Sequence, residues 1–171
     1  KARDRRLIYL DLLNSLDLEI KKFIPISKFP TGNIGTGIRK RMGVVNSEIA
    51  SLDFDQVYAY WKSKIEEDGI LVYESEYIPD ESGVIGVAIY YDNYPIILIK
   101  RGGNFNLRKL FTLVHEYVHL LKRQSALNDA ESQVVSRSTS SKTILESECN
   151  LLAAEILVPS VLIDRTEYVD L

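Results

Sequence analysis

The sequence predicts an α+β fold: a small antiparallel or mixed sheet with one hairpin, packed against two late helices and preceded by a helical N-terminal part. Three observations predict it. Two strand-like runs, 84–91 and 95–100, flank the turn pair Asp92-Asn93. An apolar segment of helical length, 107–122, comes next, and a second, 143–158, stops at Pro159. Finally, 171 residues suffice for one domain with a proper core and are too few for two large ones.

Each element has its own signal. Residues 5–22 place Leu7, Leu10, Leu13, Leu16 and Ile20 at roughly helical spacing. Residues 24–47 hold two of the five prolines and four of the nine glycines, and read as loop with a short helical turn near 38–41. Asp53 or Ser51 caps a helix running to about residue 67, with Val57, Tyr60, Trp61, Lys64 and Ile65 on one side. Residues 70–73 form a short strand ahead of the hairpin. Asn106 suits the N-cap of the 107–122 helix. Residues 123–142 are polar and serine-rich, the composition of a long loop, and a short helix closes the chain after Pro159. We divide the chain into a helical and loop segment, 1–50, packed on a domain formed by 51–171, the two making one unit.

Composition narrows the function classes. The chain is 46% hydrophobic and 26% charged, ordinary for a globular domain. No apolar run approaches the ~18 residues a membrane helix needs. No secretory signal follows the charged start, so a cytoplasmic protein is expected. Cys149 is the only cysteine, which excludes an internal disulfide and every cysteine-rich metal site. A net charge of −3 argues against direct nucleic-acid binding, whose affinity rests on neutralising phosphates.

The chemistry concentrates in the 107–122 helix. Leu110, Phe111, Leu113, Val114, Tyr117, Val118, Leu120 and Leu121 surround its axis, and a helix apolar all round is buried. It nevertheless carries His115, Glu116 and His119, the only two histidines of the chain among them. Burying such groups unpaired costs several kcal/mol, and a bound cation satisfies all three at once. His115 and His119 lie one turn apart on one face and can converge on one ion. Imidazole nitrogen suits zinc. Glu116 lies about 100° further round, placed to take a proton from a water that the ion acidifies. This is the H-E-x-x-H pattern of zinc metalloproteases. The alternative is two satisfied core histidines beside a surface glutamate.

A catalytic zinc needs a third protein ligand, and with no histidine left a carboxylate is the choice. Around the 143–158 helix, Leu145, Cys149, Leu152, Ala153, Ile156 and Leu157 form an apolar arc. Glu146 lies inside that arc and Asn150 at its edge, whereas Glu148 and Glu155 point the other way, beside Ile144 and Leu151. Glu146 is therefore the expected ligand, and Asn150 an outer partner that orients a ligand. Asp129 and Glu131, in the polar segment, are less preorganised candidates.

At these residues the chain resembles the ImmA/IrrE family of metallopeptidases. The resemblance rests on residues 111–121 around the motif and on 146–159, with a weaker likeness upstream from about residue 58 to 101; in all it covers roughly 40–160. It implies a gluzincin-like site with a ligand glutamate four residues before the asparagine of the second motif, Glu146 here, and zincin-type helices around it. It implies a cytosolic protein of bacterial or phage-related origin that cleaves, or provokes cleavage of, a helix-turn-helix repressor, commonly encoded nearby. One departure is Val118, where the family commonly has glycine; another is the length of the polar segment. The competing reading is a non-catalytic, metal-binding regulator that acts by binding a transcription factor.

Weaker signals remain. The glycine-rich stretch 31–37 follows no strand and lacks the full phosphate-loop pattern, so it reads as plain loop. The 84–89 run is either an ordinary strand or an edge that accepts an extended peptide. Tyr90 or Tyr91 is conceivable as an oxyanion partner. Cys149 reads as a small core residue, since no free histidine remains to activate it.

Overall fold

The computed structural model describes residues 1–26, 33–76, 78, 84–102, 106–123 and 139–160. Within them lie helices α1 (Ala2–Ser15), α2 (Ile34–Arg41), α3 (Asn46–Ala50) and α4 (Phe54–Glu67), strands β1 (Leu71–Ser75), β2 (Gly86–Ile89) and β3 (Ile96–Lys100), and helices α5 (Asn106–Leu121) and α6 (Thr139–Leu157). The fold is α+β, with a mixed sheet ordered β1-β3-β2. β2 and β3 pair antiparallel as the hairpin, and β1 runs parallel to β3. β3 is central, and its Ile96, Ile97 and Ile99 are fully buried, as a strand covered on both faces requires.

Helix α5 carries the core. Leu113, Val114, Tyr117, Val118, Leu120 and Leu121 are all wholly buried. One side packs on β2 and β3, another on α6, and α4 closes a third. α4 begins where Asp53 forms a capping box: its side chain accepts the Gln56 N–H, and the Gln56 side chain accepts the Asp53 N–H. Tyr117 ties α5 to this unit, because its hydroxyl donates to Asp68, which also pairs with Arg41 of α2. Tyr117→Phe is expected to lower unfolding free energy by about 1 kcal/mol in a urea titration, since Asp68 keeps Arg41 when the phenol is lost.

Three expectations fail locally. The first helix ends at Ser15 instead of running to residue 22. Asp17 adopts a left-handed φ of 54°, and the Leu18 and Asp17 N–H groups turn back to the carbonyls of Leu13 (2.9 Å) and Asn14 (3.2 Å). That pairing is a Schellman stop, made here without glycine. The second is the stretch 24–47, expected as loop with a short helical turn near 38–41: the turn is there, but it is part of a full helix, α2, and α3 starts within the stretch as well. Asn33 caps α2 through the Thr36 N–H at 3.3 Å. Gly35 is there for room: a Cβ would sit 2.6 Å from the Glu155 carbonyl oxygen. Glu155 is thus packed against α2, where solvent was expected. Third, α6 starts at Thr139, so residues 139–142, expected as loop, are helical. The segment 124–138 with Asp129 and Glu131, the closing helix after 160, and Thr31 and Gly32 lie outside the described residues.

Arg39 ties α2 to the end of α6. It is 5% exposed, donates to the carbonyls of Ile156 (2.6 Å) and Leu157 (3.3 Å) and to the Asn46 side chain, and lies 5.2 Å from the Trp61 ring centroid. A buried cation thereby satisfies the last carbonyls of α6. Arg39→Ala orphans those carbonyls, and a loss of about 1–3 kcal/mol is expected in the same titration.

Candidate metal centre

Helix α5 presents His115, Glu116 and His119 in its middle, and α6 lies across it. The two imidazoles face each other with their Nε2 atoms 2.9 Å apart. Glu146, on α6, reaches both: one oxygen lies 3.3 Å from His115 Nε2 and the other 3.6 Å from His119 Nε2. A tetrahedral ion with arms of about 2.0–2.2 Å needs ligand atoms roughly 3.3–3.6 Å apart. Each of these pairs meets that spacing within a few tenths of an ångström, one Glu146 oxygen facing each histidine, and two imidazoles with a carboxylate are a donor set for such an ion. Among the described residues they form the one His/Cys/Asp/Glu cluster that could hold a metal.

The electrostatics agree with the geometry. Burial lowers the His115 pKa, the neighbouring His119 lowers it further, and Glu146 and Asn150 oppose the shift. His115 is therefore biased toward neutral imidazole, the form that binds metal. His115 Nδ1 is buried with no hydrogen-bond partner among the described residues. Glu116 points elsewhere, to the edge of the sheet. Burial raises its pKa, the Ala88 N–H that its carboxylate accepts lowers it in part, and the Glu146 carboxylate adds to the rise, for a value of about 7. Four ionisable groups thus share one small space, and a cation offsets the repulsion between the two carboxylates.

A family model matches residues 69–168: that of the IrrE N-terminal-like domain, peptidase family M78. The chain belongs to this family. The match spans β1 to the residues beyond α6, so every member of the cluster lies within the IrrE N-terminal-like domain. The family is of metallopeptidase type. Neither the curated proteins nor the solved structures returned a significant match.

The structure brings His115, His119 and Glu146 together, with Asn150 on the same side, one helical turn beyond Glu146. Glu148 stands apart, paired with Lys122 at 2.6 Å on the exposed side. Tyr90 donates to Asp92 at 3.1 Å and the Tyr91 ring lies under Arg6, so both tyrosines are engaged at the hairpin. Cys149 is a core residue, as the sequence predicts, but its contact with His119 was not foreseen. It is fully buried, its Sγ lies 3.8 Å from His119 Nδ1, and burial pushes its thiol up to about 11. It backs the His119 ring in the role outer partners play at metal sites. The signal was present: Cys149 follows Glu146 by three residues, a same-face spacing on a helix.

Proposed function

We propose that this protein is a zinc-dependent endopeptidase that hydrolyses a peptide bond in a specific protein partner, a helix-turn-helix transcriptional repressor, in the cytoplasm. The observation that carries the peptidase reading is the convergence of His115, His119 and Glu146, with the Glu116 carboxylate on the Ala88 N–H at the adjoining edge of the sheet, near enough to feel Glu146. His115, His119 and Glu146 would hold zinc, which supplies Lewis acidity toward a water and a substrate carbonyl. Glu116 takes the proton of the attacking water on its carboxylate and delivers it to the leaving amine. Cys149 steadies the His119 ring from behind, and Asn150 lies beside His115 on the same side. The repressor as target is supported by the family resemblance, which speaks to partner class and not to cleavage site. No described helix is long and apolar enough to cross a membrane, and a single buried cysteine suits a reducing compartment.

The deciding experiment is metal analysis of the purified protein together with incubation against candidate repressors, with and without chelator. Stoichiometric zinc and chelator-sensitive cleavage are expected. Repressor binding that survives His115→Ala, with no cleavage by the wild type, would instead identify a non-catalytic regulator.

A further inference from the structure

We propose that Gly86 is a positioning residue for Glu116: with no side chain at 86, Glu116 folds against β2 and sets its carboxylate on the Ala88 N–H. The role of Glu116 as proton carrier rests on the peptidase reading; its placement by Gly86 does not.

The strand pairing sets the stage. The Lys100 N–H donates to the Ile85 carbonyl at 2.8 Å, and Gly86 and Ala88 stand opposite Ile99 and Ile97. Backbone groups alternate between the two sides of an antiparallel strand, so Ile85 and Val87 face β3 while Gly86 and Ala88 turn theirs outward. The outward Ala88 N–H is the donor that the Glu116 carboxylate accepts.

Room comes from Gly86. Its φ is not in the left-handed region, which in this chain belongs to Gly43, Gly69 and Gly102 among the described glycines, so no backbone strain requires glycine. Glycine inside a strand weakens it, and close approach is the usual reason for one. Here a Cβ would lie 2.5 Å from Thr112 Cγ2, 2.8 Å from Glu116 Cγ and 3.2 Å from Glu116 Oε1. Thr112 and Glu116 are one turn apart on α5 and together fill the space. Thr112 is β-branched and stiff at χ1, so the longer Glu116 side chain is the one that gives way. A methyl group at 86 therefore moves the carboxylate off Ala88.

The test is a double-mutant cycle read by the Ala88 amide resonance, thermal melting and zinc titration, none of which needs a substrate. Glu116→Ala removes the acceptor and moves the Ala88 amide proton upfield. Gly86→Ala is expected to move it the same way, to add little to that shift in the Glu116→Ala background, and to cost less melting temperature there than in wild type. Zinc affinity should change by much less than the roughly 10- to 100-fold cost of losing a ligand-orienting partner. An Ala88 amide unmoved by Glu116→Ala would overturn the proposal. So would a Gly86→Ala effect of equal size with and without Glu116, or a collapse of zinc affinity. If Gly86→Ala does not fold, Gly86→Ala/Thr112→Ser removes the 2.5 Å contact, keeps the one to Glu116, and is read in the same way. A wild-type protein that cleaves nothing refutes the peptidase reading and leaves this cycle intact.

Discussion

Glu116→Gln is expected to lower the rate of partner cleavage by about 10²- to 10⁴-fold while leaving zinc bound. Glutamine has nearly the same shape, and its carbonyl can still accept the Ala88 N–H, so the side chain keeps its place against β2. What it loses is the capacity to take a proton. The ligand atoms belong to other residues, so metal content should stay at the wild-type level. Folding should not suffer either, because a neutral amide replaces a carboxylate whose burial is unfavourable. The measurement pairs elemental analysis with time courses against a cleavable repressor. Cleavage at the wild-type rate would show that another group carries the proton.

Zinc is expected to stabilise the wild-type fold, and His119→Ala to abolish that gain. At a free concentration 100 times the dissociation constant, binding adds about 2.7 kcal/mol. For a chain of this size that corresponds to a rise of roughly 5–10 °C in melting temperature. His119 touches His115, Glu146 and Cys149. Truncating it breaks the donor set and also leaves the Cys149 thiol facing a void, so the metal-independent melt should fall too. Glu146→Gln separates the two effects, since Glu146 is half-exposed and its loss should remove the zinc response with little change in the baseline melt. A zinc-induced rise that persists in both variants would place the ion elsewhere.

The parts legible in advance were those governed by local spacing. His115 and His119 at i and i+4 meet because a helix brings such residues onto one face. Glu146 was found by the same arithmetic on α6, whose apolar arc had to face α5. The hairpin followed from Asp92-Asn93 between two β-rich runs, and α4 from a cap candidate, Asp53, ahead of its apolar face. Errors arose where a distant contact overrides a local preference. The glycines of α2 read as loop because glycine is a poor helix former, yet Gly35 sits in a helix since α6 passes too close for any side chain. Nothing in the local sequence marks Arg39 as buried; the open carbonyls at the end of α6 draw it into the core.

Local periodicity therefore dictates which side chains share a face, and through that the motif, the carboxylate that joins it and the α+β class. It carries no information on how close two elements come or what lies between them. That depends on packing across long sequence separations. Gly86 has room to offer only once α5 crosses β2, and Cys149 backs His119 only once α6 lies over α5. The metal-type cluster is likewise a product of docking: the His115–His119 pair and the Glu146 carboxylate, about 30 residues further along the chain, converge because the buried faces of α5 and α6 exclude water together.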